Sequence, residues 1–451
     1  MRIIVVGSGK IGTTLIASLV AEGHDVTAID NNGEVLTELT NIYDVMGVTG
    51  NGADCETLEE AGAATADLVI AVTDSDEVNM LCCYIARQIG AAHTIARIRN
   101  PEYTDQIYKM RHIFGLSMAI NPERMAAEEL YHILRLPSAV KIETFSHRKF
   151  QMIEIILKAD SPLVGMPLSQ VRTRFKAKFL ICVVQRGAQV FIPDGNFVLQ
   201  SGDKVGLTAA HGEMQKILKD IGILQKQARN VMILGGSRTG YYLAKRLTAG
   251  GNNVKIIEQR VDLCEELCDL LPKATVIHGD GANQELLLEE GLEDMDAFVS
   301  LTGMDEENIL LSFFASAHQV PKVISKVSRD ELGTIAQRLG LDCIVSPRKI
   351  TADVLVRYAR ALENASGSNV ETLYKLMDDG AEALEFNAKD DPRLVRIPLR
   401  TLETKSQVLI AGILRNRDVI IPSGEDMILP GDKVVVIAAA QHLQDLADIL
   451  K

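Results

Sequence analysis

The strongest constraint on this chain is that its sequence repeats itself. The segment GSGKIGTTLIASL from Gly7 aligns with GGSRTGYYLAKRL from Gly235, and GNGADCETLEEAG from Gly50 aligns with GDGANQELLLEEG from Gly279, at a nearly constant offset. Later in the two halves FIPDG matches IIPSG, and the tetrapeptide GDKV occurs in both. Internal self-similarity marks repeated structural units. The 451 residues are therefore a tandem duplication of a two-part unit, joined near residues 225–230.

The first part of each half alternates short apolar segments with segments of helical spacing. In the first half the β-branched segments lie at residues 3–6, 25–29, 44–48, 67–72, 93–98 and 116–120, and residues 10–22 and 76–89 have helical spacing. Strands that alternate with helices in this way form a parallel, doubly wound sheet, so each half is predicted to begin with a Rossmann-like α/β domain. Asn121-Pro122 and Ser346-Pro347 are start signals for a further helix, predicted at 122–135 and 347–363.

The second part of each half has a different residue pattern, with strand-like segments separated by turns such as Pro193-Asp194-Gly195. About eighty residues of this kind predict a small α+β module. The predicted order is therefore a Rossmann-like domain at 1–138, a small module at 139–225, a second Rossmann-like domain at 226–367 and a second small module at 368–451.

Composition excludes several classes of protein. The chain has 47 Lys and Arg against 60 Asp and Glu, a formal charge of −13, which argues against sequence-independent binding of nucleic acid because such binding needs a basic face. No apolar segment approaches the length needed to span a bilayer, and the apolar start breaks at Gly7, so we expect an intracellular protein without a signal peptide. The seven cysteines form no CxxC pair. Cys264 and Cys268 lie one helical turn apart and could hint at a metal, but we interpret them as packing residues and expect no metal site.

A glycine motif gives the first candidate site. Gly7-x-Gly9-x-x-Gly12 follows the first strand and opens a helix, and Asp30 ends the second strand. In a dinucleotide fold the first glycine allows a tight turn, the second lets a pyrophosphate approach the helix N-terminus, the third brings helix and strand together, and the acid accepts hydrogen bonds from a ribose. Asp30 would repel a 2′-phosphate. The alternative is a Rossmann-like sheet without nucleotide, whose glycines serve packing.

Further polar residues follow the later strands of the predicted sheet. Asn51 and the pair Thr73-Asp74 come after the third and fourth strands, at the carboxyl edge where such folds bind ligands. Arg97, near the end of the fifth strand, could reach a phosphate or a neighbouring domain, or could be a solvated surface residue. Lys10 borders the glycine loop and could equally be an exposed residue of the first helical turn.

The second half departs from this pattern at one position. In Gly235-Gly236-Ser237-Arg238-Thr239-Gly240, Ser237 stands where the middle glycine is expected, and its Cβ would crowd a pyrophosphate. Glu258 keeps the acidic position and Lys326 corresponds to Arg97. A second ligand is therefore expected to bind more weakly or with different selectivity.

Groups for catalysis are not apparent in the sequence. A dehydrogenase needs a substrate domain that brings an acid or base up to the nicotinamide, and the small modules offer no such set. Two nucleotide-type domains without a substrate domain suggest a sensor, and we expect no enzyme activity and no catalytic residue.

The tandem unit resembles the TrkA family, the peripheral regulatory subunits of Trk potassium-uptake systems. The resemblance rests on IIVVGSGKIG, the acid at Asp30, the GNGAD/GDGAN and TDSDE/TGMDE segments and the IPxG and GDKV motifs, and it covers nearly the whole chain. It implies RCK (also called KTN) domains with a Rossmann-type N-part that binds NAD(H) or ATP/ADP and a smaller C-part. Such units pair through the helix after the sixth strand and form a gating ring beneath a membrane-embedded channel subunit.

Carried onto this chain, the resemblance implies a homotetrameric ring at the inner face of the cell membrane, held there by its channel partner, and a set of nucleotide-binding residues in each half. Those of the first half are Gly7, Ser8, Gly9, Lys10, Ile11, Gly12, Asp30, Asn51, Thr73, Asp74 and Arg97, and those of the second half are Gly235, Gly236, Ser237, Arg238, Thr239, Gly240, Glu258, Asp280, Thr302 and Lys326.

Two alternative functions remain open. The glycine motif alone also fits an NAD-dependent oxidoreductase. Every motif also fits a nucleotide sensor for another transporter, including one whose C-parts bind a cyclic dinucleotide, as those of related proteins can.

Overall fold

The computed structural model describes residues 1–104, 106–145, 150–175, 178–210, 212–365, 370–416, 418–439 and 443–451. Within these ranges, no helix has the length and apolar character that crossing a membrane requires.

The first half opens with a six-stranded parallel sheet in the order β3-β2-β1-β4-β5-β6. This is the strand order of a doubly wound Rossmann fold, and it confirms the predicted fold class. The strands are β1 Arg2–Val6, β2 Asp25–Asp30, β3 Met46–Thr49, β4 Leu68–Ala71, β5 His93–Arg97 and β6 Met118–Ile120. The helices are α1 Lys10–Ala21, α2 Gly33–Ile42, α3 Cys55–Glu60, α4 Asp76–Ile89, α5 Pro101–Thr104, α6 Ile107–Met110 and α7 Pro122–Arg135, with a 3₁₀ turn at Ala63–Thr65.

Burial explains why these short segments form a parallel sheet. All four residues of β4 are buried, as are the last four of β1, because helices cover both faces of the sheet. Such strands are continuous apolar runs rather than alternating ones, which is the pattern seen in the sequence.

The first small module is a five-stranded sheet in the order β10-β9-β11-β8-β7, in which every recorded pairing is antiparallel. Its elements are β7 Lys141–Phe145, β8 Phe150–Ile156, α8 Leu168–Arg174, β9 Leu180–Arg186, β10 Gln189–Phe191, β11 Lys204–Ala210 and α9 Met214–Asp220. Neither β7 nor α8 was predicted from the sequence. Strand β7 is five residues long and has charges at alternate positions, and it is a strand because it pairs with β8.

The second half repeats this plan. Its parallel sheet has the order β14-β13-β12-β15-β16-β17 and its second sheet the order β18-β19-β22-β20-β21. The strands are β12 Asn230–Leu234, β13 Asn253–Glu258, β14 Thr275–His278, β15 Ala297–Ser300, β16 Lys322–Lys326, β17 Ile344–Val345, β18 Val370–Leu376, β19 Ala381–Asn387, β20 Val408–Arg415, β21 Asp418–Ile420 and β22 Lys433–Ala438. The helices are α10 Arg238–Ala249, α11 Val261–Leu270, α12 Gln284–Glu289, α13 Asp305–Ala317, α14 Asp330–Arg338 and α15 Pro347–Ala365, with 3₁₀ turns at Leu292–Asp294, Leu399–Thr401 and Leu446–Ile449.

The chain divides into two compact units. The first comprises Met1–Glu128, Ser237–Leu243 and Val345–Ala359, and the second comprises Glu129–Gly236, Ala244–Ile344 and Arg360–Lys451. The beginning of α15 therefore belongs to the unit built around the first sheet, where it buries Ala352, Leu355, Val356 and Ala359.

Within the second unit, the two antiparallel sheets contribute to one apolar cluster that includes Phe145, Phe150, Leu376, Met377 and Ile437. The predicted domain limits stay a prediction. The limit at 138/139 falls between α7 and β7, that at 225/226 falls between α9 and β12, and that at 367/368 lies outside the described residues.

Candidate functional site

The glycine loop between β1 and α1 is shaped by two close approaches. Gly7 has a φ of +96°, and a Cβ there would lie 2.9 Å from the backbone nitrogen of Thr73. A Cβ at Gly12 would lie 1.9 Å from the Gly7 carbonyl oxygen. Both positions therefore need glycine, the first also for its left-handed backbone. The roles predicted for these two glycines agree with this geometry.

Gly9 differs from the other two because space lies open before it. A Cβ added there meets no heavy atom within 4 Å. Gly9 is also the N-cap of α1 and offers no side chain to the first-turn N–H groups, whereas α2, α3 and α4 are capped by Asn32, Asp54 and Ser75. The N-terminus of α1 thus has free donors and a positive dipole end facing open space, which suits an anion such as phosphate.

Asp30 is bound directly to this loop. Its Oδ2 accepts the N–H of Ser8 at 2.6 Å and its Oδ1 accepts the N–H of Asn32 at 2.9 Å. The carboxylate therefore ties the glycine loop to the end of β2. A carboxylate has about four acceptor positions, so two of them stay available for a ribose diol. Sequence reasoning assigned the ribose role alone and missed the structural one.

Asn51 lies beside Asp30 at the carboxyl edge. The N–H of Gly50 donates to the Asp30 carbonyl at 3.0 Å, and Asn51 Oδ1 accepts the N–H of Ala53 at 3.0 Å. The exposed Asn51 side chain thus shapes its own turn. Gly52 is held against β1, because a Cβ there would lie 2.1 Å from Val6 Cγ1.

Thr73, Asp74 and Arg97 form one cluster at the ends of β4 and β5. Arg97 Nη2 donates to the Thr73 carbonyl at 2.5 Å and to Asp74 Oδ1 at 2.9 Å. Arg97 is 5% exposed, so the solvated alternative for this residue is wrong. Burial, followed by the nearby charge of Arg99, lowers the pKa of the Arg97 guanidinium from its ordinary value.

Asn79, which was not among the predicted site residues, holds this cluster together. Asn79 is fully buried on α4, and its Oδ1 accepts the Thr73 N–H at 2.8 Å while its Nδ2 donates to the Arg97 carbonyl at 2.9 Å. The side chain therefore joins the ends of β4 and β5. A signal was present, because the repeated segments AVTDSDEVN and SLTGMDEEN both end on an asparagine, Asn79 in the first half and Asn308 in the second.

The second half reproduces most of these bonds. Gly235 has a φ of +96°, the N–H of Gly236 donates to Glu258 Oε2 at 2.7 Å, and the N–H of Arg260 donates to Glu258 Oε1 at 2.9 Å. Asn308 accepts the Thr302 N–H at 2.9 Å and donates to the Lys326 carbonyl at 3.0 Å. Glu258 thus binds its loop as Asp30 does.

The remaining predicted residues of both loops occupy equivalent positions. Lys10 and Arg238 are the exposed first residues of α1 and α10, Ile11 is half-buried, and Thr239 is buried. Gly240 is buried in the first turn of α10, and the exposed Asp280 accepts the Ala282 N–H at 3.0 Å, much as Asn51 accepts that of Ala53.

Several positions of the edge differ between the two halves. Ser237 replaces Gly9 directly before α10, and Gly303 replaces Asp74. Lys326 replaces Arg97, and its Nζ donates to the Leu301 carbonyl at 3.2 Å. The second edge therefore has the same framework with different charges.

Across the described residues, no group of three or more His, Cys, Asp or Glu side chains is arranged to hold a metal. Cys264 is buried and Cys268 is exposed, and burial raises the pKa of the Cys264 thiol above its ordinary value. This favours a neutral packing residue at Cys264.

Comparison with known proteins identifies the repeated unit. The TrkA-N domain matches residues 3–122 and 231–347, and the TrkA-C domain matches residues 152–222 and 383–451. The chain belongs to the TrkA family. The Trk system potassium uptake protein TrkA homolog 2 of Methanosarcina mazei is 30% identical over the whole of both chains, and the TrkA of Haemophilus influenzae is 31% identical over 97% of this chain and 95% of its own.

Solved structures show the same tandem fold. The GsuK channel bound to NAD is 19% identical, with a TM-score of 0.65 over 97% of this chain and 77% of that one. GsuK bound to ADP is 16% identical, with a TM-score of 0.51 over 81% and 69% of the two chains. At this level of identity these two comparisons establish the fold only and do not determine which ligand this chain binds.

Proposed function

We propose that this chain is a nucleotide-sensing regulatory subunit that binds NAD(H), ATP or ADP at the carboxyl edges of its parallel sheets and gates a Trk-type potassium channel. The relatives named as Trk potassium-uptake proteins support the transport role, and the GsuK structures with NAD and with ADP support the class of ligand. The protein would work in the cytoplasm, at the inner face of the membrane.

The observation that carries the proposal is the uncapped N-terminus of α1 beside Asp30. Gly9 leaves open space before the first-turn donors, and Asp30 is fixed 2.6 Å from the Ser8 N–H, between the loop and the end of β2. A phosphate at the helix terminus and a ribose at the carboxylate satisfy both features at once. Asn79 fixes the edge of β4 and β5 on the other side of the loop.

These residues suit binding and positioning. The loop offers N–H groups as hydrogen-bond donors, and Asp30 accepts hydrogen bonds. Arg97 supplies a positive charge, and its guanidinium is held by a hydrogen bond to the Thr73 carbonyl. The side chains of Asp30 and Arg97 are each bonded to backbone, which holds them in place. NAD, when bound, brings its own capacity for hydride transfer, and the residues at this edge would hold its adenylate end.

Gating follows if the ligand prefers one shape of the assembly. A ligand shifts a conformational equilibrium only by its difference in affinity for the two states, and a tenfold preference corresponds to ~1.4 kcal/mol per site. Several equivalent sites that move together add their contributions. We therefore propose a ring of about four chains beneath the channel, with the repeated units paired as in the RCK arrangement.

The proposal is tested in two steps. Purified protein should bind NADH or ATP in a calorimetric titration without steady oxidation of NADH, and potassium flux through the reconstituted channel should then depend steeply on nucleotide. Substrate-dependent turnover of NADH would favour the oxidoreductase instead. Co-purification of a different membrane protein, with no effect on Trk flux, would favour a sensor for another transporter.

A further inference from the structure

Arg97 is a cation almost wholly removed from water next to the expected phosphate site. Its side chain is 7% exposed, and its Nη2 bonds the Thr73 carbonyl and Asp74 Oδ1. Thr73 lies against the glycine loop, since a Cβ at Gly7 would come 2.9 Å from the Thr73 nitrogen. Thr73 thus lies between the Arg97 guanidinium and the glycine loop that would hold the phosphates.

Asp74 has the opposite environment. Its side chain is fully exposed, although its Oδ1 lies 2.9 Å from the Arg97 guanidinium. An exposed carboxylate can turn away into water with little desolvation cost, whereas a buried guanidinium left without an anion is strongly disfavoured. The Arg97–Asp74 pair can therefore exchange its anion, provided that another anion arrives.

We propose that Asp74 is an intramolecular anion that a ligand phosphate displaces from Arg97, so that Asp74 sets how strongly the first site discriminates between nucleotides by their phosphate charge. This inference rests on the proposed function, and it names a selectivity device within it. The phosphate takes over the Nη2 donor from Asp74. The displaced carboxylate stays nearby and repels the ligand more strongly as its phosphate charge increases.

The second half lacks this competitor. Gly303 stands at the position of Asp74, after Thr302, and Lys326 stands at the position of Arg97. Three carboxylates follow at the start of α13 and have other partners. Asp305 accepts the N–H groups of Ser328 and Arg329, Glu306 pairs with Arg329, and Glu307 accepts the Thr302 hydroxyl at 3.1 Å. The duplication thus supplies a natural template for the Arg97→Lys variant.

The experiment compares Asp74→Asn with the wild type, using adenosine, AMP, ADP and ATP at low ionic strength. Binding at the first site is read from the protection of the amides of residues 7–12 against hydrogen exchange. We expect the same affinity for adenosine and a gain for ATP of about fivefold, the factor for one Coulomb interaction of ~1 kcal/mol. The gain should increase with phosphate number and shrink in high salt. Asp25→Asn, the same charge change at the opposite edge of the sheet, should change no affinity.

A double-mutant cycle with Arg97→Lys, which copies the second half, tests whether the effect of Asp74 depends on the Arg97 guanidinium. The effect of Asp74→Asn on ATP affinity should fall in the Arg97→Lys background, because the competition is for the guanidinium. An equal effect of Asp74→Asn on adenosine and ATP, or no effect on either, overturns the inference and leaves the proposed function intact. Absence of all nucleotide binding by the wild type overturns both.

Discussion

Replacing Asp30 with Ala separates the two roles that the structure gives this carboxylate. In the free protein the change removes the acceptor of the Ser8 N–H, which belongs to a residue only 3% exposed, and that of the Asn32 N–H, which is near solvent. An unsatisfied buried donor costs about 1–3 kcal/mol, while the Asn32 N–H can bond water. We therefore expect the Ser8 amide to exchange about 5- to 150-fold faster in Asp30→Ala, since opening of the loop becomes easier by that amount.

The assay is native-state hydrogen exchange of the two glycine loops. The duplication provides the matched control, because Glu258→Ala should accelerate exchange at Gly236, which donates to Glu258 at 2.7 Å, and leave the first loop unchanged. Unaltered exchange at Ser8 in Asp30→Ala would show that the 2.6 Å bond does not stabilise the loop.

The dinucleotide affinity of Asp30→Ala tests whether the ribose binds at this carboxylate. Wild-type protein should prefer NADH to NADPH, because the Asp30 charge repels a 2′-phosphate. Asp30→Ala should lose about 1.5–3 kcal/mol of NADH binding for a well-formed charged hydrogen bond and should lose the preference. Unchanged affinities for both dinucleotides would place the ribose elsewhere.

Three further predictions concern the glycine loops. Gly9→Val should abolish nucleotide binding at the first site and the nucleotide dependence of channel flux. It should lower stability by no more than about 1 kcal/mol, the cost of a poorer N-cap, because the added Cβ meets no heavy atom within 4 Å; a larger loss would contradict this. Ser237→Gly should raise affinity at the second site in a two-site titration, and equal affinities of the two wild-type sites would show that this serine does not matter. Gly12→Ala should lower the thermal midpoint through a cost of about 1–3 kcal/mol, since its Cβ would lie 1.9 Å from the Gly7 carbonyl oxygen; a neutral result in a thermal scan would mean that the loop relaxes freely.

Local patterns in the sequence predicted the repeated architecture. The apolar runs of the parallel strands and the glycine motif before α1 depend on residues close together in the chain, and the duplication is visible because each half contains its own copy of these patterns. The observed strand order agrees with them. The helix starts at Pro122 and Pro347 were likewise predicted from two adjacent residues. Such signals survive in sequence because the backbone constraint and the residue that satisfies it are neighbours.

What only the tertiary structure decided are the partners of the polar side chains. Asp30 meets Ser8 across 22 residues and Arg97 meets Asp74 across 23, and neither spacing has a period that sequence reasoning can use. The strand β7 was missed for the same reason, because its five residues are defined by pairing with β8. In the sequence, nothing distinguishes Arg97 from any other arginine at the end of a strand. Its burial arises from the packing of β4, β5 and α4 around it.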